Sequence, residues 1–88
     1  MVQEIQRAYN ETEFLEYVLR TLIKNQESLK IVKQIDEQGV LYNVEIDTTD
    51  MPQVIGKQGK TINALRKVFN VVGHLNGVRA TLKVNAMK

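Results

Sequence analysis

The run Val54-Ile55-Gly56-Lys57-Gln58-Gly59-Lys60 is the stretch of this chain whose residue types and spacing suit work on a ligand. Two glycines three apart leave bare backbone, and Lys57, Gln58 and Lys60 are poor core residues. Directly behind Gly59, the apolar residues Ile62, Leu65, Phe69 and Val72 recur at helical spacing, so the loop opens into a helix. The first N–H groups of a helix have no intrahelical partner, and together with the helix dipole they favour an anion. Glycine lacks a Cβ and lets the main chain approach a sugar-phosphate closely, while Lys57 and Lys60 add positive charge. The chemistry this implies is capture of an anionic ligand rather than the making or breaking of bonds.

Signals for catalysis are weak by comparison. Gly59-Lys60-Thr61 imitates the end of a nucleotide-binding P-loop, but G-x-x-x-x-G-K-[ST] needs glycine at position 54, which is Val54. The sole histidine, His74, stands near a helix end, where exposure or a favourable charge-dipole contact accounts for it. Glu45, Asp47 and Asp50 are close in sequence, yet alternate strand positions and a helix N-cap explain them better than a cation site. With no cysteine there is no thiolate metal site and no cysteine nucleophile, and no acid, base and nucleophile constellation is visible. The chain is therefore expected not to be an enzyme and to need no cofactor, metal or small-molecule substrate.

Charge is distributed unevenly. Residues 1–50 contain all ten acids against five bases, whereas residues 51–88 contain seven bases and no acid. The formal net charge of +2 thus conceals a positive half that begins at the glycine loop, as a polyanionic partner would require. No run of about 18 apolar residues and no signal-peptide pattern is present, so a cytoplasmic protein that does not engage a membrane is expected. Eighty-eight residues with 43% hydrophobic content suit one compact domain.

The elements that must hold the loop follow from periodicity. Residues 1–10 carry only Val2, Ile5 and Tyr9 as a weak stripe, and residues 1–11 are assigned as an N-terminal extension, with residues 12–88 as the folded domain. From Glu11 to Asn25 the apolar positions Phe14, Leu15, Val18, Leu19, Leu22 and Ile23 predict a helix, capped by Asn10 with Glu13 in a capping box or else by Thr12. Leu29, Ile31 and Ile35 predict a strand with Lys33 interrupting its apolar side, and Asp36-Glu37-Gln38-Gly39 a tight turn. Val40, Tyr42, Val44 and Ile46 alternate with polar positions as a second strand. Thr48, Thr49 and Asp50 are N-cap candidates for a short helix carrying Pro52 in its first turn and ended by Gly56. The next helix spans about Lys60 to Leu75, with Gly73 weakening its last turn and Asn76-Gly77 ending it. Val78, Ala80, Leu82, Val84 and Ala86 alternate as a third strand whose other face is basic. Three strands with one apolar side each predict an α+β two-layer sandwich, a three-stranded mixed sheet with helices on one face, in the order α-β-β-α-α-β.

A strand, a short helix, the Ile55-Gly56-Lys57-Gln58-Gly59 loop, a helix and a strand, preceded by an extra helix and strand, closely resembles the type II KH domain. Within that class the chain is similar to the small bacterial single-KH RNA-binding proteins of the KhpA kind. The resemblance implies a module for single-stranded RNA, acting in post-transcriptional regulation or as an RNA chaperone. It implies a clamp for the phosphate backbone at Gly56, Lys57, Gln58 and Gly59, with Val54 and Ile55 as apolar groove floor and Lys60 extending the positive edge. Val44 and Ile46 are expected near the groove or backing it, and Asp36–Gly39 corresponds to the variable loop at the groove's other boundary. No exposed aromatic lies near the loop, so backbone contacts should dominate over base stacking.

One feature exceeds the needs of folding. If Ile62, Leu65, Phe69 and Val72 face the sheet, Ala64, Val68 and Val71 form an adjacent apolar stripe, which either the first helix covers or a partner does. Since small KH proteins pair with themselves or with a larger KH-containing partner, the resemblance implies a dimer interface there. A protein-interaction subunit in which RNA binding is secondary is the alternative function.

Overall fold

The computed structural model describes residues 10–87; of the extension expected over residues 1–11, residues 1–9 lie outside them, while Asn10 and Glu11 belong to the first helix instead. Asn10 opens the first helix as its cap: its Oδ1 accepts from the Glu13 amide at 2.8 Å, and the Glu13 carboxylate accepts from the Asn10 amide at 3.3 Å. Helix α1 spans Glu11–Leu22 and buries Leu15 and Leu19. It ends three residues before the expected Asn25, with Ile23 already extended, because Asp50 takes hold of the chain there. Its Oδ1 accepts from the Lys24 amide at 2.9 Å and its Oδ2 from the Asn25 amide at 3.0 Å. The Gln26 side chain finishes the helix by donating to the carbonyls of Arg20 and Ile23, both at 2.8 Å.

Strand β1 (Lys30–Asp36) pairs antiparallel with β2 (Gly39–Asp47), which also pairs parallel with β3 (Ala80–Met87), giving the order β1-β2-β3. As the central strand, β2 keeps the strict alternation seen in the sequence, with Val40, Tyr42, Val44 and Ile46 all buried. The edge strand β1 does not. Ile31 is half-buried, and Ile35, expected on the covered side, is 74% exposed. With one neighbouring strand, β1 is roofed at its middle by Lys33 instead, whose Nζ lies 5.8 Å from the centroid of the Tyr42 ring.

The parallel pair needs a crossover. It consists of a single 3-10 turn (Thr48–Asp50), helix α2 (Met51–Ile55), the glycine loop and helix α3 (Lys60–Leu75), whose bounds are those the periodicity predicts. Ile62, Leu65 and Phe69 of α3 are buried, and Phe69 meets Tyr42 edge-to-face at 5.1 Å. Helix α3 closes in a Schellman motif: the Gly77 amide donates to the His74 carbonyl at 3.0 Å and the Val78 amide to the Gly73 carbonyl at 2.8 Å. That second bond removes Val78 from the strand it was expected to begin, so β3 starts at Ala80. Gly73 does not fray the helix end. It is buried where a Cβ would come within 2.9 Å of the Ala80 Cβ, so glycine lets α3 and β3 approach closely.

Under the helices, Tyr42 joins a buried polar group. Its hydroxyl donates to the Glu11 carboxylate at 3.0 Å and lies 2.7 Å from the Thr12 hydroxyl, while the Asn76 amide donates to Glu11 at 3.3 Å. Burial pushes the phenol's pKa up, partly opposed by the Thr12 hydrogen bond and reinforced by Glu11.

Candidate nucleic-acid interface

The loop between α2 and α3 is shaped by positive φ. Gly56 stands at φ 79°, ψ 168°, a region essentially restricted to glycine, and Gly59 at φ 77° is left-handed. Between them Gln58 is held at φ 58°, the one non-glycine residue with positive φ among the described residues. The two glycines are not equivalent. A Cβ on Gly56 would lie 2.7 Å from the Cβ of Thr61 and 2.8 Å from its amide nitrogen, whereas one on Gly59 would meet only the Asn63 amide group at 3.5 Å. Gly56 is therefore fixed by packing as well as by backbone conformation.

The turn is tied internally by the Gly59 amide donating to the Gly56 carbonyl at 3.1 Å, and it leaves Lys57, Gln58 and Lys60 exposed. Gly59 is the N-cap of α3 and supplies no side-chain cap, in contrast to Asn10 on α1. The opening turn of the longest helix is thus presented at a surface with two lysines and no carboxylate from residue 51 onward. An anion there would meet helix N–H groups, the positive end of the helix dipole and the two ammonium groups together.

The remaining sequence candidates divide. Val54 is fully buried, so its side chain belongs to the core and cannot be groove floor, a correction to the expectation above. Five-residue α2 has one inward face and Val54 occupies it, while Ile55 is only partly buried, packed against the core beside the loop. Val44 and Ile46 have no exposed surface and back the core. The turn Asp36–Gly39 lies at the opposite end of β2 from the exit to α2, next to Arg79, so the loop and this turn mark the two ends of the α3–β3 side. Asp47 and Asp50 form no shared site. Asp47 caps the 3-10 turn through the Thr49 hydroxyl (2.6 Å) and amide (2.8 Å), and these bonds lower its pKa. Asp50 makes no cap bond on α2 despite standing at its N-cap; the Lys24 amide chiefly lowers its pKa against the cost of burial, with Asn25 assisting. Among the described residues no group of His, Cys, Asp and Glu is placed to hold a metal ion, and no helix is long and apolar enough to cross a membrane.

The sequence gives no hint of Arg66. It lies on α3 at the margin between core and solvent and donates from Nε to the backbone carbonyl of Leu82 on β3 at 3.4 Å. The stripe of Ala64, Val68 and Val71 is exposed, so α1 does not cover it; Val68 is 48% and Val71 57% exposed, and Leu75, 51% exposed, extends it.

A mixed sheet ordered β1-β2-β3, helices on one face and a G-x-x-G loop joining two of them define a KH domain of the type II arrangement. The chain belongs to the family described as KhpA/KhpB, KH domain, whose sequence model matches residues 12–84. It is similar to the RNA-binding protein KhpA of Thermotoga maritima, 40% identical over 61 residues that cover 68% of this chain and 80% of that one. It is also similar to RNA-binding protein KhpA of Chlamydia pneumoniae (31% over 72 residues, 82% and 92%) and of Streptomyces coelicolor (30% over 70 residues, 80% and 87%). No solved structure gives a significant match to the chain.

Proposed function

We propose that this protein is a non-enzymatic module for single-stranded RNA, working in the cytoplasm as a post-transcriptional regulator or RNA chaperone, with the phosphate backbone gripped at Gly56, Lys57, Gln58 and Gly59. The observation that carries this reading is the uncapped opening of α3 behind two positive-φ glycines, flanked by exposed Lys57 and Lys60. Membership of the family, its similarity to proteins named as RNA-binding and the acid-free second half support it. A loop of this kind holds the backbone of about four nucleotides. Ile55 offers a small apolar contact beside it and Lys60 prolongs the positive edge. Replacing Lys57 and Gln58 together by Asp should abolish RNA binding in fluorescence anisotropy while the circular dichroism spectrum is retained, because both side chains face solvent. If about three phosphates are neutralised, log affinity should fall against log salt with a slope near about −2, from about −0.7 per phosphate on a single strand. Affinity independent of salt, or a double variant that binds like the parent, refutes the clamp.

The exposure of Ala64, Val68 and Val71 favours a second role, pairing with another copy or with a larger KH protein through α3. Val68→Glu should then convert a dimeric parent to monomer in sedimentation at micromolar concentration. An unchanged sedimentation coefficient removes this stripe from consideration.

A further inference from the structure

The turn that closes α3 carries a chemistry of its own. Of the seven asparagines in the chain, Asn76 alone precedes a glycine. An asparagine side chain and the next peptide nitrogen can close a five-membered ring, and glycine, lacking a Cβ, puts nothing in the way of that attack. Gly77 is exposed, and a Cβ built on it would meet nothing within 4 Å, so no side chain shields this peptide from water. In the folded protein the cap holds the reacting groups apart. The Gly77 amide donates to the His74 carbonyl at 3.0 Å, the Asn76 amide to the Gly73 carbonyl at 3.0 Å, and the Asn76 side-chain amide to Glu11 at 3.3 Å. With ψ at 9°, the Gly77 nitrogen nearly eclipses the Asn76 nitrogen, whereas ring closure needs it turned toward the side-chain carbon. Reaction therefore waits on a local opening of the turn, a fluctuation that requires far less than global unfolding.

We infer that Asn76 is a deamidation site gated by the cap of α3, and that its product hinders the cap from closing again. On opening, the Gly77 nitrogen attacks the Asn76 Cγ and its proton passes by way of water to the departing ammonia. A C–N bond forms as another breaks, and water then opens the ring at either carbonyl to give aspartate or isoaspartate. No electrons are exchanged, and water is the one co-reactant. Glu11 is what sets this position apart from an ordinary exposed Asn-Gly pair. Its carboxylate is buried and accepts from the Asn76 side chain and from the Tyr42 hydroxyl, the latter at 3.0 Å. Aspartate at position 76 withdraws one of those donors and sets a second carboxylate beside the first, where burial and like charge both disfavour the pair. It also places negative charge at the negative end of the α3 dipole. Isoaspartate adds a carbon to the main chain and breaks the register of the Schellman bonds. The seam between the first turn of α1 and the end of α3 loosens in either case, while the glycine loop stands at the opposite end of α3. A copy of this chain thus ages by losing stability before it loses its loop, whatever that loop binds.

The test incubates the full chain at neutral pH and follows all seven asparagines by peptide mass spectrometry, which reads the change from amide to carboxylate and separates isoaspartate from aspartate. Asn76 should react first, and a chain held unfolded in guanidinium chloride should react there at least about tenfold faster than the folded one. Gly77→Ala, whose added Cβ obstructs the attack, should slow the reaction in both states. Asn76→Asp should melt about 10 °C below the parent, and Glu11→Gln in that background should recover at least about half of the loss, or restore folding where the single variant does not fold. The deamidated fraction of the parent, separated by ion exchange, should melt below the parent as well. Asn76 reacting no faster than the other asparagines overturns the site. Equal rates in the folded and unfolded chain overturn the gate. A deamidated fraction that melts with the parent, or a double variant no more stable than Asn76→Asp, overturns the part assigned to Glu11.

Discussion

The two glycines of the loop should respond differently to alanine. Gly56→Ala places a side chain in a conformation that costs ~1–3 kcal/mol outside glycine. The added Cβ also falls 2.7 Å from the Thr61 Cβ and 2.8 Å from its amide nitrogen, and that nitrogen belongs to the first turn of α3 and cannot retreat without moving the helix. Overpacking of this kind adds ~1–3 kcal/mol, so a total near 2–4 kcal/mol is expected after the entropy gained by removing a glycine. Gly59→Ala meets only the Asn63 amide at 3.5 Å, an ordinary contact, and pays for the left-handed conformation alone, about 1 kcal/mol net. At roughly 4–8 °C per kcal/mol for a domain of this size, Tm should fall by about 10–25 °C for the first variant and about 4–8 °C for the second. Thermal melts followed by circular dichroism at 222 nm, checked by urea midpoints with constant slope, measure both. If the two variants melt within about 3 °C of each other, the packing of Thr61 beneath Gly56 is not what fixes the loop, since the argument demands a gap of at least about 1 kcal/mol.

The titrating groups give two further expectations. Because burial raises the pKa of Tyr42 above its ordinary 10.0, stability is complete below about pH 10 and should decline as pH rises through the folded value. Tyr42→Phe should remove this alkaline limb, and absorbance at 295 nm should lose the phenol that ionises above the ordinary tyrosine value. At the acid end, Asp47 and Asp50 have pKa values lowered from 3.8, so the stability they contribute is present above about pH 4 and is lost as pH falls through their folded values. Asp50→Asn should flatten that limb in urea titrations between pH 2 and 5, and an unchanged limb would place its origin elsewhere.

What could be read from residues alone follows the strength of the local pattern. The span of α3 and the buried alternation of β2 were legible because each has one periodic face against the core. The end of α1 was not, because the force that stops it comes from Asp50, 26 residues beyond Lys24, and local reasoning assigned that carboxylate to a cap on its own helix. Ile35 failed because alternation marks which side of a strand a residue faces, not whether helices extend over it. The glycine loop was legible as a motif. Val54 within it was misjudged because a motif gives the order of residues, while burial depends on the direction in which a five-residue helix is set. Arg66 belongs to no apolar stripe, and only its contact with β3 reveals what it covers.

Among the described residues the sheet has two unpaired margins, and such margins ordinarily invite further strands, the first step toward fibrils. Here each margin is guarded by cations: Lys30 and Lys33 punctuate β1, and a guanidinium is clasped over the rim of β3. A second copy approaching either side must displace or face positive charge, which disfavours edge-to-edge pairing of sheets.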